Sequence, residues 1–448
     1  MPTRPQECVL ADDVLVNLLE TCGIDVLQQA QAVCRDWRRV ARAVASSASW
    51  RAVPENMASL QAAEWAQDGG THTTLSSQAS FSLRALAVAA HGSRVAAMHQ
   101  AAGAQHVTLR VWQVDSPVDP PAEITFAGTA RGNSCVAMRD ATIVVGHEVL
   151  PGGPTPPGGV SIFTLEERGA TSASWPPAIH HVATLLPFAV CVSCLAFADA
   201  HTFYCAPGEQ RALAVCEASP QWNIPASGIK LRAHARPITC LCAVPEVPSM
   251  CVSGESFGAI KLWRRSSPAG GSCASADHQG LDCVQVLNMN PHRITSLAID
   301  GQSLAVCAWR DLARSGYSRE HYTVIFQHSL RPDAAAHEQR LRQRQHAFSD
   351  CLGTATFAGP PEGVMAFCGE GVLVLAGRHR ARNCHVPCAP PAPAHPAAQT
   401  ISPLRQLTKM DFVVSTATVA SVAACSGVVA IGTRDGLVHQ VALRRHCR

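Results

Sequence analysis

The chain has 448 residues, 47% of them hydrophobic, which is enough for a large core and for two or three domains. Its 36 basic and 33 acidic residues leave a formal charge of +3, so no overall field draws it to nucleic acid or anionic lipid, and partner choice has to be local. The only lysines are Lys230, Lys261 and Lys409, a scarcity that codon bias explains more simply than selection against lysine modification.

The 20 cysteines are scattered through apolar runs with no secretory signal before them, and they read as reduced core thiols. Cys191 with Cys194, and Cys384 with Cys388 near His379 and His385, have spacings that zinc sites use, but neither has a matching second pair, so no metal is expected. Two uncharged stretches, Val182 to Ala198 and Phe412 to Thr433, fail as membrane spans. Pro187 splits the first, and Ser415, Thr416, Thr418, Ser421, Ser426 and Gly427 dilute the second into two strands around a turn.

From Asp12 to Cys22 the apolar residues Val14, Leu15, Leu18 and Leu19 share one helical face behind two acids that suit a helix N-terminus. Gly23 stops that helix. Asp25 caps a second, carrying Val26, Leu27, Ala30 and Val33, and a third stripe runs through Trp37, Val40, Ala41 and Val44. Three short amphipathic helices have to pack together or against a partner. The string from Leu10 to Val53 resembles the F-box: Leu10, Asp12, Asp13, Leu15, Leu18, Leu19, Asp25, Leu27, Val33, Cys34, Arg35, Trp37, Arg38 and Trp50 stand in the family's order, with Ala11 where the family has proline. The resemblance implies docking on the Skp-type adaptor of a cullin ubiquitin ligase through Leu10, Leu15, Leu18, Leu19, Leu27 and Trp37.

Pro54 can begin a further helix through Met57, Leu60 and Trp65, which Asp68-Gly69-Gly70 ends. Beyond it, short alternating apolar strands separated by turn residues predict an all-β domain. Its clearest unit, Leu231 to Trp263, resembles a WD repeat: His234 precedes a strand from Ile238 to Cys242, and strands at Met250 to Ser253 and Ile260 to Trp263 follow. In that family a His, a Ser or Thr, an Asp and a Trp lock each blade. Here His234 and Trp263 match, while Glu255 and Phe257 fall at the Ser and Asp places and leave the lock incomplete. Units at Leu83 to Val114, Ser134 to Leu165, Ala189 to Cys216, Ile294 to Gln327, Leu352 to Leu375 and Val419 to Leu443 bring the candidates to seven, with Thr433 and Asp435 at family places in the last. Pro- and Gly-rich loops lengthen the repeat beyond the usual 40 to 45 or so residues. The chain ends on a third strand, so Thr73 to Ser80 is expected to supply the fourth and close the ring.

Gly254-Glu255-Ser256-Phe257-Gly258 spells the nucleophile elbow of hydrolases, but a β-branched and aromatic strand follows it where that elbow needs a helix. Gly369-Glu370-Gly371 lacks the third glycine and the helix of a dinucleotide site. Arg340, Arg342 and Arg344 read as an exposed loop without the aromatics of a nucleic-acid patch. Arg84, Arg131, Arg236 and Arg293 each lie shortly before a first strand. The WD-repeat F-box resemblance makes these four a candidate site for an acidic or phosphorylated target.

The expected fold class is therefore α+β multidomain: a three-helix F-box (8–53), a helical linker (54–71) and an all-β WD-repeat propeller of seven blades (72–448). The resemblance implies the substrate receptor of a ubiquitin ligase, in cytoplasm or nucleus, with no cofactor and no catalysis of its own. The alternative is a WD-repeat scaffold outside any ligase.

Overall fold

The described residues of this computed structural model are 35–47, the isolated positions Val16, Leu19, Leu27 and Ala30, and, from 71 to 442, the strands with most of the turns that join them. Strands dominate the second part because Val, Ile, Ala, Cys and aromatic residues recur in short runs broken by Gly, Pro, Asp and Ser.

The strands form seven antiparallel sheets. Four are regular blades of four consecutive strands, at residues 83–127, 135–188, 238–288 and 293–357. A fifth four-stranded blade combines Val419–Cys425, Val428–Thr433 and Val438–Ala442 with Thr71–Thr74 from the other end of the domain. The remaining two sheets, 192–230 and 364–413, carry five strands. In the first, Trp222–Asn223 and Ile229–Lys230 both pair with Leu213–Ala218; in the second, Arg405–Gln406 and Phe412–Val413 both pair with Arg380–His385. The first strand of each sheet packs on the first strand of the next, and Val419–Cys425 returns to Leu83–His91, so the sheets close into a β-propeller.

The second strand of a blade is buried on both faces, as in Thr202–Pro207, Met250–Glu255 and Val428–Thr433, because neighbouring blades cover it. Outer strands such as Ala122–Ala127 alternate between buried or half-buried and exposed positions. Core clusters bridge blades: Leu109 and Val111 pack with Ile143 and Phe163, and Val95 and Trp112 with Ala430 and Val438.

The fold class expected from the sequence is corrected on two counts. Among the described residues there is one helix, α1 (Arg35–Ser46), not three. It is the segment where the stripe of Trp37, Val40, Ala41 and Val44 is sustained through three turns, and it packs on Val16, Leu19, Leu27 and Ala30. The rest of the two earlier predicted helices and the 54–70 linker lie outside the described residues. Nor does the chain build a regular seven-bladed propeller, since only five of its sheets are four-stranded blades. The unit Leu352 to Leu375 is also misphased: Phe348–Phe357 is the outer strand of one blade, and the next sheet begins at Val364–Phe367.

The expected ring closure is made slightly earlier in the chain than Thr73 to Ser80. Thr71–Thr74 pairs antiparallel with Val438–Ala442, from Thr71 opposite Ala442 to Thr74 opposite His439, and Leu75 N–H donates to Val438 O at 2.8 Å. Gln440 Nε2 donates to Val114 O at 3.2 Å and ties this blade to its neighbour. Deleting Thr71–Thr74 removes hydrogen bonds worth about 1 kcal/mol net each. We expect a fall of several degrees in Tm by thermal denaturation of the full-length chain. An unchanged Tm would mean that other contacts close the ring.

Candidate functional site

The best-defined polar constellation lies in the blade 238–288. Its second strand, Met250–Glu255, runs to a tight turn in which Gly258 has φ +96°, and the third strand, Ala259–Arg265, leaves that turn directly. A Cβ on Gly254 would come within 2.8 Å of both Cys240 Sγ and Ile294 Cγ2, so that glycine permits close approach of the neighbouring blade. Both glycines of the apparent nucleophile elbow are thus accounted for by packing and turn geometry. Ser256 between them donates its backbone N–H to Pro237 O at 3.2 Å, and no helix follows.

Trp263 Nε1–H donates to Ser253 Oγ at 2.7 Å, and that oxygen lies 2.6 Å from His234 Nε2. His234 Nδ1 is 3.2 Å from Glu255 Oε2, which also accepts the backbone N–H of Arg236 at 3.0 Å. An ionised carboxylate only accepts, so Nδ1 carries the imidazole proton and Nε2 accepts from the Ser253 hydroxyl. Every donor then runs one way, from Trp263 to Glu255. Burial, with a smaller contribution from Lys261, pushes the His234 pKa down to about 3, so the His234–Glu255 contact is a hydrogen bond from a neutral ring, not an ion pair. The incomplete lock expected from sequence is corrected here: Ser253, two residues before the assigned place, fills the Ser role, and Glu255 takes the acidic one. Ser253, His234 and Glu255 share the order of a hydrolase triad, but Trp263 occupies the Ser253 oxygen and all three are buried. The group is a structural lock.

The blade 135–188 carries a second chain of polar side chains in a different order, buried at His147 and Ser161 and exposed at Thr184 and His181. His147 Nε2 lies 2.7 Å from Ser161 Oγ, which is 3.0 Å from Thr184 Oγ1, and His181 Nε2 reaches the same Thr184 oxygen at 2.8 Å. Burial lowers the pKa of His147, and the nearby His181 adds to that.

Above the lock lies the rim of the propeller. Arg236 is exposed, with its guanidinium 5.5 Å from the centroid of the Phe257 ring, and Arg293 stands 4.9 Å over Trp309. Neither arginine forms an ion pair among the described residues. Arg293 begins the first strand Arg293–Ile299 and Arg236 precedes the neighbouring one, Ile238–Ala243; Thr239 Oγ1 links the two by donating to Ile294 O at 2.8 Å. Phe257 is 50% exposed and Leu231, in the loop that leads to Arg236, is 72% exposed. The result is a rim patch of two stacked cations beside two exposed apolar side chains. Of the other two rim candidates, Arg84 lies on Leu83–His91 with its side chain outside the described residues, and Arg131 is outside them altogether.

Among the adaptor candidates, Leu19 and Leu27 are fully buried with Val40, Ala41 and Val44, so they hold the N-terminal cluster together instead of facing a partner. Trp37 is half-buried at the margin of that cluster, while Leu10, Leu15 and Leu18 lie outside the described residues. Cys194 is buried, which pushes its thiol pKa up to about 11, and no group of three or more metal-ligating side chains occurs among the described residues. No described helix is long and apolar enough to cross a membrane.

Sequence reasoning missed the partners that complete the site: Ser253, Phe257 as a platform, Trp309 and Leu231. Trp309 was accessible in principle, since it lies directly opposite Arg293 in the hairpin register. In comparisons with known proteins, the chain matches no family model and no curated protein.

The two buried imidazoles make stability depend on pH. Both have folded pKa values below the ordinary value of about 6.5, so below that pH the unfolded chain binds protons that the fold refuses, and stability falls with pH until the folded pKa is reached, at about 3 for His234. For His234 the slope approaches about 1.4 kcal/mol per pH unit between the two pKa values. Thermal melts between pH 7 and pH 5 should show a falling Tm, and His234→Gln should start lower at pH 7 yet fall less steeply. Parallel curves would remove His234 as a source of the dependence.

Proposed function

We propose that this protein is a substrate receptor: the N-terminal segment docks the Skp-type adaptor of a cullin ubiquitin ligase, and the propeller holds a target protein on its rim for modification by other subunits. The observation that carries the reading is the rim patch. Arg236 and Arg293 are each fixed over a ring and have no internal counter-ion among the described residues, while Leu231 and Phe257 give apolar surface to water at the same rim. Cations held in this way suit an acidic or phosphorylated segment that also carries an apolar side chain. The F-box-like order of residues from Leu10 to Trp50 and the WD-like lock of His234, Ser253 and Trp263 support the same reading. Its place of action is then the cytoplasm or nucleus.

A second reading, a propeller scaffold outside any ligase, is favoured by the burial of Leu19 and Leu27 within their own cluster, which withdraws two of the six expected docking side chains. Affinity purification of the full chain under proteasome inhibition separates the two, since only the receptor retains adaptor and cullin.

Trp37→Ala should lose the adaptor and keep the target. Arg236→Glu with Arg293→Glu should do the reverse, with target affinity down tenfold or more, since a hydrogen bond to a charged group contributes roughly 1.5–3 kcal/mol. Loss of both partners in either variant would indicate unfolding, which the Tm checks. Unchanged binding in both would end the receptor reading.

A further inference from the structure

Independently of the receptor reading, we propose that Cys205 and Cys216 form a redox-active dithiol, which a peroxide closes to a disulfide and a thiol reductant reopens. Cys205 lies on the second strand of the sheet 192–230 and Cys216 on the third, and their sulfurs stand 3.7 Å apart. The register explains the approach: Cys205 is opposite Ala214 and Phe203 is opposite Cys216, so the two cysteines are diagonal neighbours on one face of the hairpin. A disulfide holds its sulfurs about 2.05 Å apart, which leaves less than about 2 Å to close. Both cysteines are free thiols, fully buried in one cluster with Val144, Val160 and Phe203. Nearby thiols are placed less well. Cys194 stands opposite Ala206 and so faces the other side of the hairpin, in a cluster with Tyr204, while the Cys135 thiol donates to Val192 O at 3.4 Å.

Burial pushes the Cys216 thiol pKa up, so in the closed fold it rests as the unreactive thiol, and reaction with peroxide requires local opening. The sheet has a place for that opening. Its outer edge is split: Trp222 and Asn223 pair with Ala218 and Glu217, Ile229 and Lys230 pair with Ala214 and Leu213, and Val215 and Cys216 between them have no outer-strand partner among the described residues. Fraying of that stretch admits solvent to Cys216 first. Its thiolate then attacks one oxygen of hydrogen peroxide, the O–O bond breaks and hydroxide leaves, giving a sulfenic acid. The Cys205 sulfur attacks the sulfenic sulfur, the S–S bond forms as the S–O bond breaks, and the hydroxyl leaves as water with the Cys205 proton. Two thiols are oxidised and one peroxide is reduced to two waters. The new bond ties together the strands that flank Arg211, whose carbonyl accepts the His234 N–H of the rim loop at 3.3 Å.

The test treats the folded full-length chain with hydrogen peroxide, alkylates the remaining thiols in denaturant and maps the unreduced tryptic peptides by mass spectrometry. Cleavage after Arg211 separates the two cysteines, and the peptide 212–230 contains Cys216 as its one cysteine. The expected result is that peptide joined through Cys205 to the peptide 169–211, with the link lost on adding dithiothreitol and absent in Cys205→Ser. A link made chiefly through Cys135, Cys191 or Cys194 overturns the proposal. So does a Cys216 that stays free while the exposed Cys283 is oxidised. The same treatment in urea is the control for proximity in sequence: there the preference for Cys205 with Cys216 should vanish among the 20 cysteines, and an equal preference would mean that the fold does not make the pair. The linkage map of the unsubstituted chain decides the matter even if Cys205→Ser fails to fold, which its Tm reveals.

Discussion

The last sheet of the ring reaches four strands only because Thr71–Thr74, from the other end of the domain, pairs with Val438–Ala442, and that pairing ties the two ends of the propeller together. Without Thr71–Thr74, Val438–Ala442 would expose a row of unpaired backbone groups. The pairing joins residues more than three hundred apart in sequence, so its loop-closure entropy is met late and the ring gains its stability as a unit. It also makes the closing blade the point where the N-terminal segment enters the propeller, because the chain leading from α1 arrives at Thr71.

Within that frame, polar groups buried between blades decide which loops are rigid. A buried hydroxyl or imidazole without partners costs more than it returns, so the chain Trp263–Ser253–His234–Glu255 persists only because each member satisfies the next. Its last acceptor is spent on the Arg236 backbone N–H, not on the guanidinium. The loop is therefore pinned while its charged end stays available at the surface. In the blade 135–188 the His sits on the second strand and the hydroxyls on the third and outer strands, so the side-chain bonds run outward, while Thr129, ahead of the first strand, is held by paired backbone bonds to Glu148, the neighbour of His147.

What the sequence disclosed follows from the physics of each feature. Apolar runs and turn residues located the first three strands of the blade 238–288 closely, whereas its outer strand, Leu281–Asn288, beyond a long loop, was not assigned. Ser253 escaped because the lock depends on which face of a fully buried strand meets His234, and a strand buried on both faces carries no alternation to reveal it. The unit Leu352 to Leu375 was misphased for a related reason: nothing in its composition distinguishes an outer strand from a first one. Leu19 and Leu27, named as docking residues by resemblance of motif, are buried in the N-terminal cluster, a fact that order in a motif does not disclose. Nothing in the sequence reading foreshadowed the split outer strands.

The choice of cation at the rim has a consequence of its own. Arg236 and Arg293 lie over aromatic rings, which immobilises a planar guanidinium at small entropic cost and leaves N–H edges directed outward. A lysine at either place would lose the planar stack and the fork of donors. The physical result is a rim whose two stacked cations keep their charge at any physiological pH. Charge and nucleophilicity, which lysine couples, are separated here by residue type.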